Sequence, residues 1–178
     1  MIPIILALSL TGKPISLTAS PDLKVTMGSG KSFVIHTDGM AAPKTVARIV
    51  QLVKSKFYDG QRFHRVEDWV VQWGAPQSKK SVDDPEVGNG GTGKNMPFEP
   101  GRISFTKGVC GVASTGAGLG GDSQLFIVKR DSTFLNGKYS SWGKVTSGMD
   151  VVANIKRGDM IKSISIIVPK KTAPKVKK

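Results

Sequence analysis

The chain has 178 residues, of which 39% are hydrophobic and 22% charged, enough apolar material for one packed domain and too much for wholesale disorder. Lys and Arg number 26 against 13 Asp and Glu, giving a net charge of +13, while a single cysteine, Cys110, and two histidines, His36 and His64, are too few for a disulfide framework or a Cys/His zinc cluster. The longest unbroken apolar run, Ile4 to Leu8, is far short of the roughly 20 residues that span a bilayer.

At the N-terminus, Ile2 to Leu10 is mostly apolar and Thr18-Ala19-Ser20 offers small residues, as in an export signal. Against that, no Lys or Arg precedes the run, and Pro21 would follow the cleavage point. Residues 1–21 are read as an extension or an export signal. The location is cytoplasmic in the first case and exported or periplasmic in the second.

Leu23 to Met27 alternates apolar and polar residues as a strand does, Gly28-Ser29-Gly30 is a turn, and Ser32 to Thr37 is the second arm of a hairpin. A helix is predicted from Pro43, with Val46, Ile49, Val50 and Val53 on one stripe, ending before Tyr58-Asp59-Gly60. Phe63 to Val66 and Trp69 to Trp73 read as strands. Residues 88–121 hold eleven of the 21 glycines and read as loop, interrupted by short strands at Ile103–Thr106 and Val109–Ala113. Gln124 to Lys129 and Ser141 to Thr146 are further strands. Met149 to Lys156 is a second helix with Gly158 as its stop, and Ile161 to Val168 is a closing strand.

Many short strands, Gly-rich connections and two helices favour a mainly β fold: a closed, mainly antiparallel barrel capped by two α-helices. A doubly wound parallel sheet would need a helix between most strand pairs. Residues 22–168 form the single domain, and 169–178 form a Lys-rich flexible tail carrying Lys170, Lys171, Lys175, Lys177 and Lys178. The tail is either solubilising or a weak, nonspecific attachment to anionic partners such as nucleic acid or membrane. It has no aromatic residues on which bases could stack.

Several motifs resemble catalytic signatures without completing them. Gly28-Ser29-Gly30-Lys31-Ser32 ends like a phosphate-binding loop, but an apolar strand follows instead of a helix. In Gly88-Asn89-Gly90-Gly91-Thr92-Gly93-Lys94 the next residue is Asn95, not a hydroxyl residue, and Met96-Pro97 blocks a normal helix start; this run is read as a flexible loop. Ser114, Ser123, His64 and Asp122 could suggest a hydrolase, but no serine sits in a nucleophile elbow. His64 is read as a histidine held by internal hydrogen bonds, and Cys110 as a buried structural cysteine.

A more informative set consists of Phe63-His64-Arg65-Val66, Val70-Val71-Gln72, Gly111-Val112-Ala113-Ser114 running to Ser123-Gln124-Leu125-Phe126-Ile127, and Phe134-Leu135-Asn136-Gly137-Lys138-Tyr139 before Trp142-Gly143-Lys144-Val145. In order and spacing these segments resemble the cyclophilin family of peptidyl-prolyl isomerases, and the likeness extends over about residues 22–168. The resemblance implies a closed eight-stranded barrel, isomerisation of X–Pro bonds without a cofactor or metal, and proline-containing peptides and unfolded protein clients as partners of a monomer. Carried over by position, it implies that Arg65 is catalytic and that Gln72 lines the site, holding Arg65 or a substrate carbonyl. Val70, Phe126 and Leu135 would form the proline pocket, with Trp69 at its edge. Ala113 and Ser114 would contact the substrate backbone, Gln124 would support the floor, and Phe134 and Tyr139 would close the rim. The alternative is a non-catalytic module that binds proline peptides.

The sequence also departs from the family pattern. The Arg65-to-Gln72 stretch is one residue short and the Ala113-to-Gln124 stretch one residue long. Trp73 stands where glycine is common, and Tyr139 where histidine is. Phe134 replaces the tryptophan of members that bind cyclosporin tightly, so weak cyclosporin binding is expected.

Overall fold

The structure, a computed structural model, describes residues 20–167. The expectations for the extension or export signal up to residue 19 and for the Lys-rich tail lie outside the described residues. Ser20 and Pro21 are already tied to the fold. The Pro21 carbonyl accepts hydrogen bonds from the N–H and hydroxyl of Thr37, and Ser20 Oγ accepts one from the Gly39 N–H.

Strands β1 (Asp22–Met27) and β2 (Ser32–Thr37) form the expected hairpin, with Leu23 opposite Ile35 and Val25 opposite Phe33. All four are buried, so the period-2 alternation commits one face of the pair to the core. Helix α1 (Pro43–Lys54) buries Val46, Ile49, Val50 and Val53, the stripe read from the sequence. Ala42 precedes it and has no capping side chain. Instead, the Glu99 carboxylate accepts hydrogen bonds from the Lys44 N–H at 3.0 Å and the Thr45 N–H at 2.7 Å. A helix start with unpaired N–H groups and a long Gly-rich segment in need of an anchor thus satisfy each other.

The remaining elements are β3 (Arg65–Val66), β4 (Val70–Trp73), β5 (Val109–Val112), β6 (Leu125–Val128), β7 (Ser141–Ser147), α2 (Met149–Ala153) and β8 (Ile161–Ile167), with short 3-10 turns at Pro76–Lys79 and Thr133–Leu135. Eight strands join one antiparallel sheet in the order β3-β4-β6-β5-β7-β2-β1-β8. Helix α1 packs against β8, and α2 against β2.

Three details differ from the sequence reading. First, the sheet curls into an open half-barrel, and the expected closure is not found: β3 and β8, at its ends, do not pair as strands. β3 is two residues long and follows a turn through Gly60 at φ +80°, so contact with the start of β8 shrinks to the isolated Arg62–Met160 bridge and the main-chain hydrogen bonds beside it. Second, Ile103–Thr106 is not a strand. Both edges of β5 are already taken by β6 and β7, and the Phe105 N–H donates instead to Asn136 Oδ1 at 2.9 Å. Third, α2 ends at Ala153, and Gly158 sits beyond it in a turn at φ +95°.

Every residue of β4, β5 and β6 is buried. Val71, Trp73, Cys110, Val112, Leu125 and Ile127 join the main core with β1, β2 and α1. Their alternates, Val70, Val109, Phe126 and Val128, form a second cluster with Phe105 and Leu135. Cys110 lies in the main core, where burial pushes its thiol well above the usual range, consistent with a structural role. Trp73 also faces this core, packing on Phe63 at 5.4 Å between ring centroids, so it points away from the second cluster. The tight approach falls one residue later, where a Cβ on Gly74 would lie 2.2 Å from the Ser123 carbonyl oxygen.

The Glu99 clasp yields a stability test. Glu99→Ala removes the acceptor for two helix N–H groups and is expected to cost about 1 kcal/mol. Thermal unfolding should show a drop of about 2–4 °C in Tm.

Candidate active site

The second apolar cluster is the floor of a cleft, and the strand register explains why. Arg65 is directly opposite Gln72, Gln72 is opposite Phe126, and Phe126 is opposite Gly111. Directly opposed residues share a face of the sheet. The guanidinium, the amide and the phenyl ring therefore stand in one row on the outer side of the sheet. Gly111 ends the row for a steric reason: a Cβ there would lie 2.2 Å from Phe126 Cζ, so the ring occupies the space the glycine leaves. Val70 faces Val128 two residues along the same surface. Phe105 stacks on Phe126 at 5.6 Å, and Tyr139 meets its edge at 5.9 Å. Leu135 is brought in by the 3-10 turn.

The resulting cleft has a volume of about 310 Å³ and is lined by Arg65, Trp69, Val70, Gln72, Ala113, Ser114, Gln124, Phe126, Leu135 and Tyr139. All of these were predicted. Phe134 lies off the lining; it is 59% exposed and packs against Trp69 at 5.6 Å, as part of the rim. The polar end of the cleft was not predicted. It includes Gly88, Asn89, Gly90, Asn95, Thr115, Gly120, Gly121 and Asp122, most of them from a Gly-rich run whose course no local pattern specifies.

Buried amides join the two halves. Gln72 Nε2 donates to Gln124 Oε1 at 2.8 Å, and Gln124 Nε2 donates to the carbonyls of Gly88 at 2.7 Å and Gly90 at 2.9 Å. Asp122 accepts hydrogen bonds from the Lys94 N–H and the Thr92 hydroxyl. The loop read as flexible is therefore hydrogen-bonded to the cleft wall. Gln72 is committed to Gln124 rather than to Arg65. Arg65 Nε instead donates to Glu67 Oε1 at 2.7 Å, and Trp69 Nε1 donates to the other carboxylate oxygen, also at 2.7 Å. The Arg65 hydrogen bond, reinforced by Trp69, holds the Glu67 carboxyl below its usual range. Glu67 was missed by the sequence reading, although its place two residues after Arg65 was a usable signal.

The hydrolase pattern does not assemble. The Ser123 hydroxyl donates to the Gly74 carbonyl and the Ser114 hydroxyl to the Gly116 carbonyl. His64 is buried, but the expected internal hydrogen bonds are not formed: neither ring nitrogen has a partner among the described residues. Burial lowers its pKa, the nearby Gln124 amide opposes that shift, and the Arg157 and Arg65 charges add to it. The ring is therefore neutral near pH 7. What the site offers is an apolar floor, a half-exposed cation at its lip and fixed amides, an arrangement suited to holding a compact apolar group and donating hydrogen bonds to polar atoms beside it.

A family model described as cyclophilin type peptidyl-prolyl cis-trans isomerase/CLD matches residues 23–175. A probable peptidyl-prolyl cis-trans isomerase of Brucella abortus is 38% identical over 135 residues, covering 73% of this chain and 69% of that relative. Peptidyl-prolyl cis-trans isomerase B of Bacillus subtilis is 37% identical over 129 residues, covering 71% and 84%. The crystal structure of a cyclophilin type peptidyl-prolyl cis-trans isomerase of Cryptosporidium parvum matches the fold with a TM-score of 0.73 at 22% identity, covering 85% of this chain and 100% of that one. A structure of the same Cryptosporidium protein in the presence of the dipeptide Ala-Pro matches at 0.71, again at 22% identity, covering 83% and 99%.

The packing of Phe126 on Gly111 can be tested directly. Gly111→Ala should cost about 1–3 kcal/mol by overpacking. Urea unfolding should show a lower midpoint with an unchanged m-value.

Proposed function

The chain belongs to the cyclophilin-type peptidyl-prolyl cis-trans isomerases, and from that premise we propose that Arg65 is its catalytic residue and that it assists folding by turning over X–Pro bonds in unfolded protein clients. The observation that carries this reading is the position of Arg65: its side chain, 45% exposed, sits on the lip of a cleft floored by Phe126. That the Cryptosporidium parvum cyclophilin of the same fold was crystallised in the presence of the dipeptide Ala-Pro supports a proline-containing ligand for this chain.

Rotation about an X–Pro bond crosses a barrier of about 18–20 kcal/mol because it breaks amide resonance. No covalent bond is made or broken, so the reaction asks for no nucleophile or acid–base pair. The pyrrolidine ring rests on Phe126, between Val70 and Leu135, with Tyr139 and Phe134 at the rim. Ala113 and Ser114 face the peptide backbone, and the preceding residue swings while the ring stays fixed. As the bond twists, the prolyl nitrogen becomes pyramidal and basic. An N–H of Arg65 donates to it at that stage, and this interaction is stronger in the transition state than in either planar ground state. Gln72 and Gln124 keep the floor rigid through their mutual hydrogen bond and their link to the loop carbonyls.

Phe134 also bears on inhibition. A phenyl ring has no N–H to donate, so cyclosporin binding is weak. Phe134→Trp is expected to tighten cyclosporin inhibition by about tenfold, roughly one hydrogen bond; nanomolar inhibition of the wild-type protein would overturn this expectation.

The catalytic assignment is tested by a protease-coupled proline-peptide assay. Wild type should accelerate cis-to-trans exchange, and Arg65→Ala should lower kcat/KM about a hundredfold while retaining the wild-type unfolding midpoint. An Arg65→Ala protein with wild-type turnover would remove Arg65 from the mechanism.

A further inference from the structure

An arginine side chain on a surface has several rotatable bonds, and a donor that must meet one nitrogen at one stage of a rotation loses rate when it wanders. The structure restrains Arg65 from one side. Glu67 lies in the tight connection between β3 and β4, where its own N–H donates to the Val70 carbonyl at 2.9 Å. Its two carboxylate oxygens are divided: Oε1 takes the Nε–H of Arg65 and Oε2 takes the indole N–H of Trp69. The guanidinium carbon lies 5.5 Å from the centre of the Trp69 ring, and that ring is braced by Phe134. Because Glu67 uses Nε, the terminal Nη groups of Arg65 remain available; among the described residues neither makes a hydrogen bond. Both partners of the ion pair are nearly half exposed, 45% and 43%, and such pairs add little to stability. The contribution of the pair is therefore geometric.

We propose that Glu67 is a positioning residue for the isomerisation: its carboxylate clips the Arg65 guanidinium to the Trp69 indole and so aims the terminal N–H groups of Arg65 over the cleft. The clip also joins the cation to the aromatic rim, so that Trp69 and Arg65 move as one unit. This inference rests on Arg65 being the catalytic residue. A carboxylate that instead sequestered Arg65 would make the unclipped enzyme faster, so the sign of the effect distinguishes the two.

The test compares wild type, Glu67→Ala, Glu67→Gln, Trp69→Phe and Arg65→Ala in a peptide assay that resolves kcat from KM. Thermal unfolding and the Arg65 Nε–Hε resonance in 15N spectra are recorded alongside. Glu67→Ala should lower kcat about five- to tenfold with KM nearly unchanged and an unaltered unfolding midpoint, and its Arg65 Nε–Hε signal should broaden as solvent exchange rises. Glu67→Gln keeps one acceptor for Nε and should recover part of the lost kcat. Trp69→Phe removes the second donor and should lower kcat less than Glu67→Ala does. A kcat for Glu67→Ala equal to or above wild type, with Arg65→Ala inactive, overturns the clip and leaves the catalytic assignment standing. An unchanged Arg65 Nε–Hε signal in Glu67→Ala overturns it independently of activity. Full activity in Arg65→Ala would sink the underlying assignment, and this inference with it.

Discussion

Burial on both faces of β4, β6 and β5 is the constraint on which the site depends. An antiparallel strand usually keeps one face in water and alternates accordingly. Here Val70–Trp73, Val109–Val112 and Leu125–Val128 are buried throughout. One set of alternates fills the half-barrel core; the other needs a second cover, which the segments around Phe105 and Leu135 supply. That cover is incomplete above Phe126, and the gap is the cleft. The cleft is thus an unfinished second core on the outside of the sheet. Its apolar character and its rigidity have the same origin, since the floor residues are held by ladder hydrogen bonds and by packing from below.

The two amides that enter this apolar surface both have partners. Gln72 and Gln124 are both buried, and burying an unpaired amide would cost a few kcal/mol. Gln72 donates to the Gln124 carbonyl oxygen, and the Gln124 amide nitrogen donates to the carbonyls of Gly88 and Gly90. One interaction thereby removes a desolvation penalty and pins a long glycine-rich loop against the cleft. Glu99 repeats the logic at the start of α1, where a distant carboxylate meets N–H groups that no local side chain caps. Polar contacts at Gly88, Gly90 and Glu99 thus anchor the long Gly-rich segment alongside the apolar packing of Met96 and Phe105.

Much of this was readable residue by residue. The hairpin of β1 and β2 and the stripe of α1 follow from periodicities of 2 and 3.6 that tertiary structure leaves intact. Ile103–Thr106 shows where that reasoning fails: an apolar, β-branched start suggests a strand, but a strand needs a free edge, and the edges of β5 were already occupied. His64 shows another limit, because a histidine between apolar neighbours carries no local sign of whether its nitrogens will find partners. Glu67 was overlooked for a different reason. An exposed acid beside an arginine is common, and its significance appears only when Trp69 is seen to donate to the same carboxylate.

The sequence by itself held the residue types of an apolar cleft beside a cation: the resemblance to cyclophilins marked Arg65, Val70, Gln72 and Phe126, and of these only Val70 and Gln72, two residues apart on β4, are obliged by pleat geometry to share a side, whereas the strand register brought Arg65 and Phe126 beside them. It also placed a residue without a side chain, Gly111, where the Phe126 ring needed room. Tertiary structure alone decided that the sheet stays open, that the glycine-rich run becomes a fixed wall, and that the guanidinium is held by Glu67 instead of Gln72. Those outcomes depend on hydrogen bonds between residues far apart along the chain, or on donors and acceptors that more than one neighbour could have satisfied, and no local periodicity encodes which neighbour will.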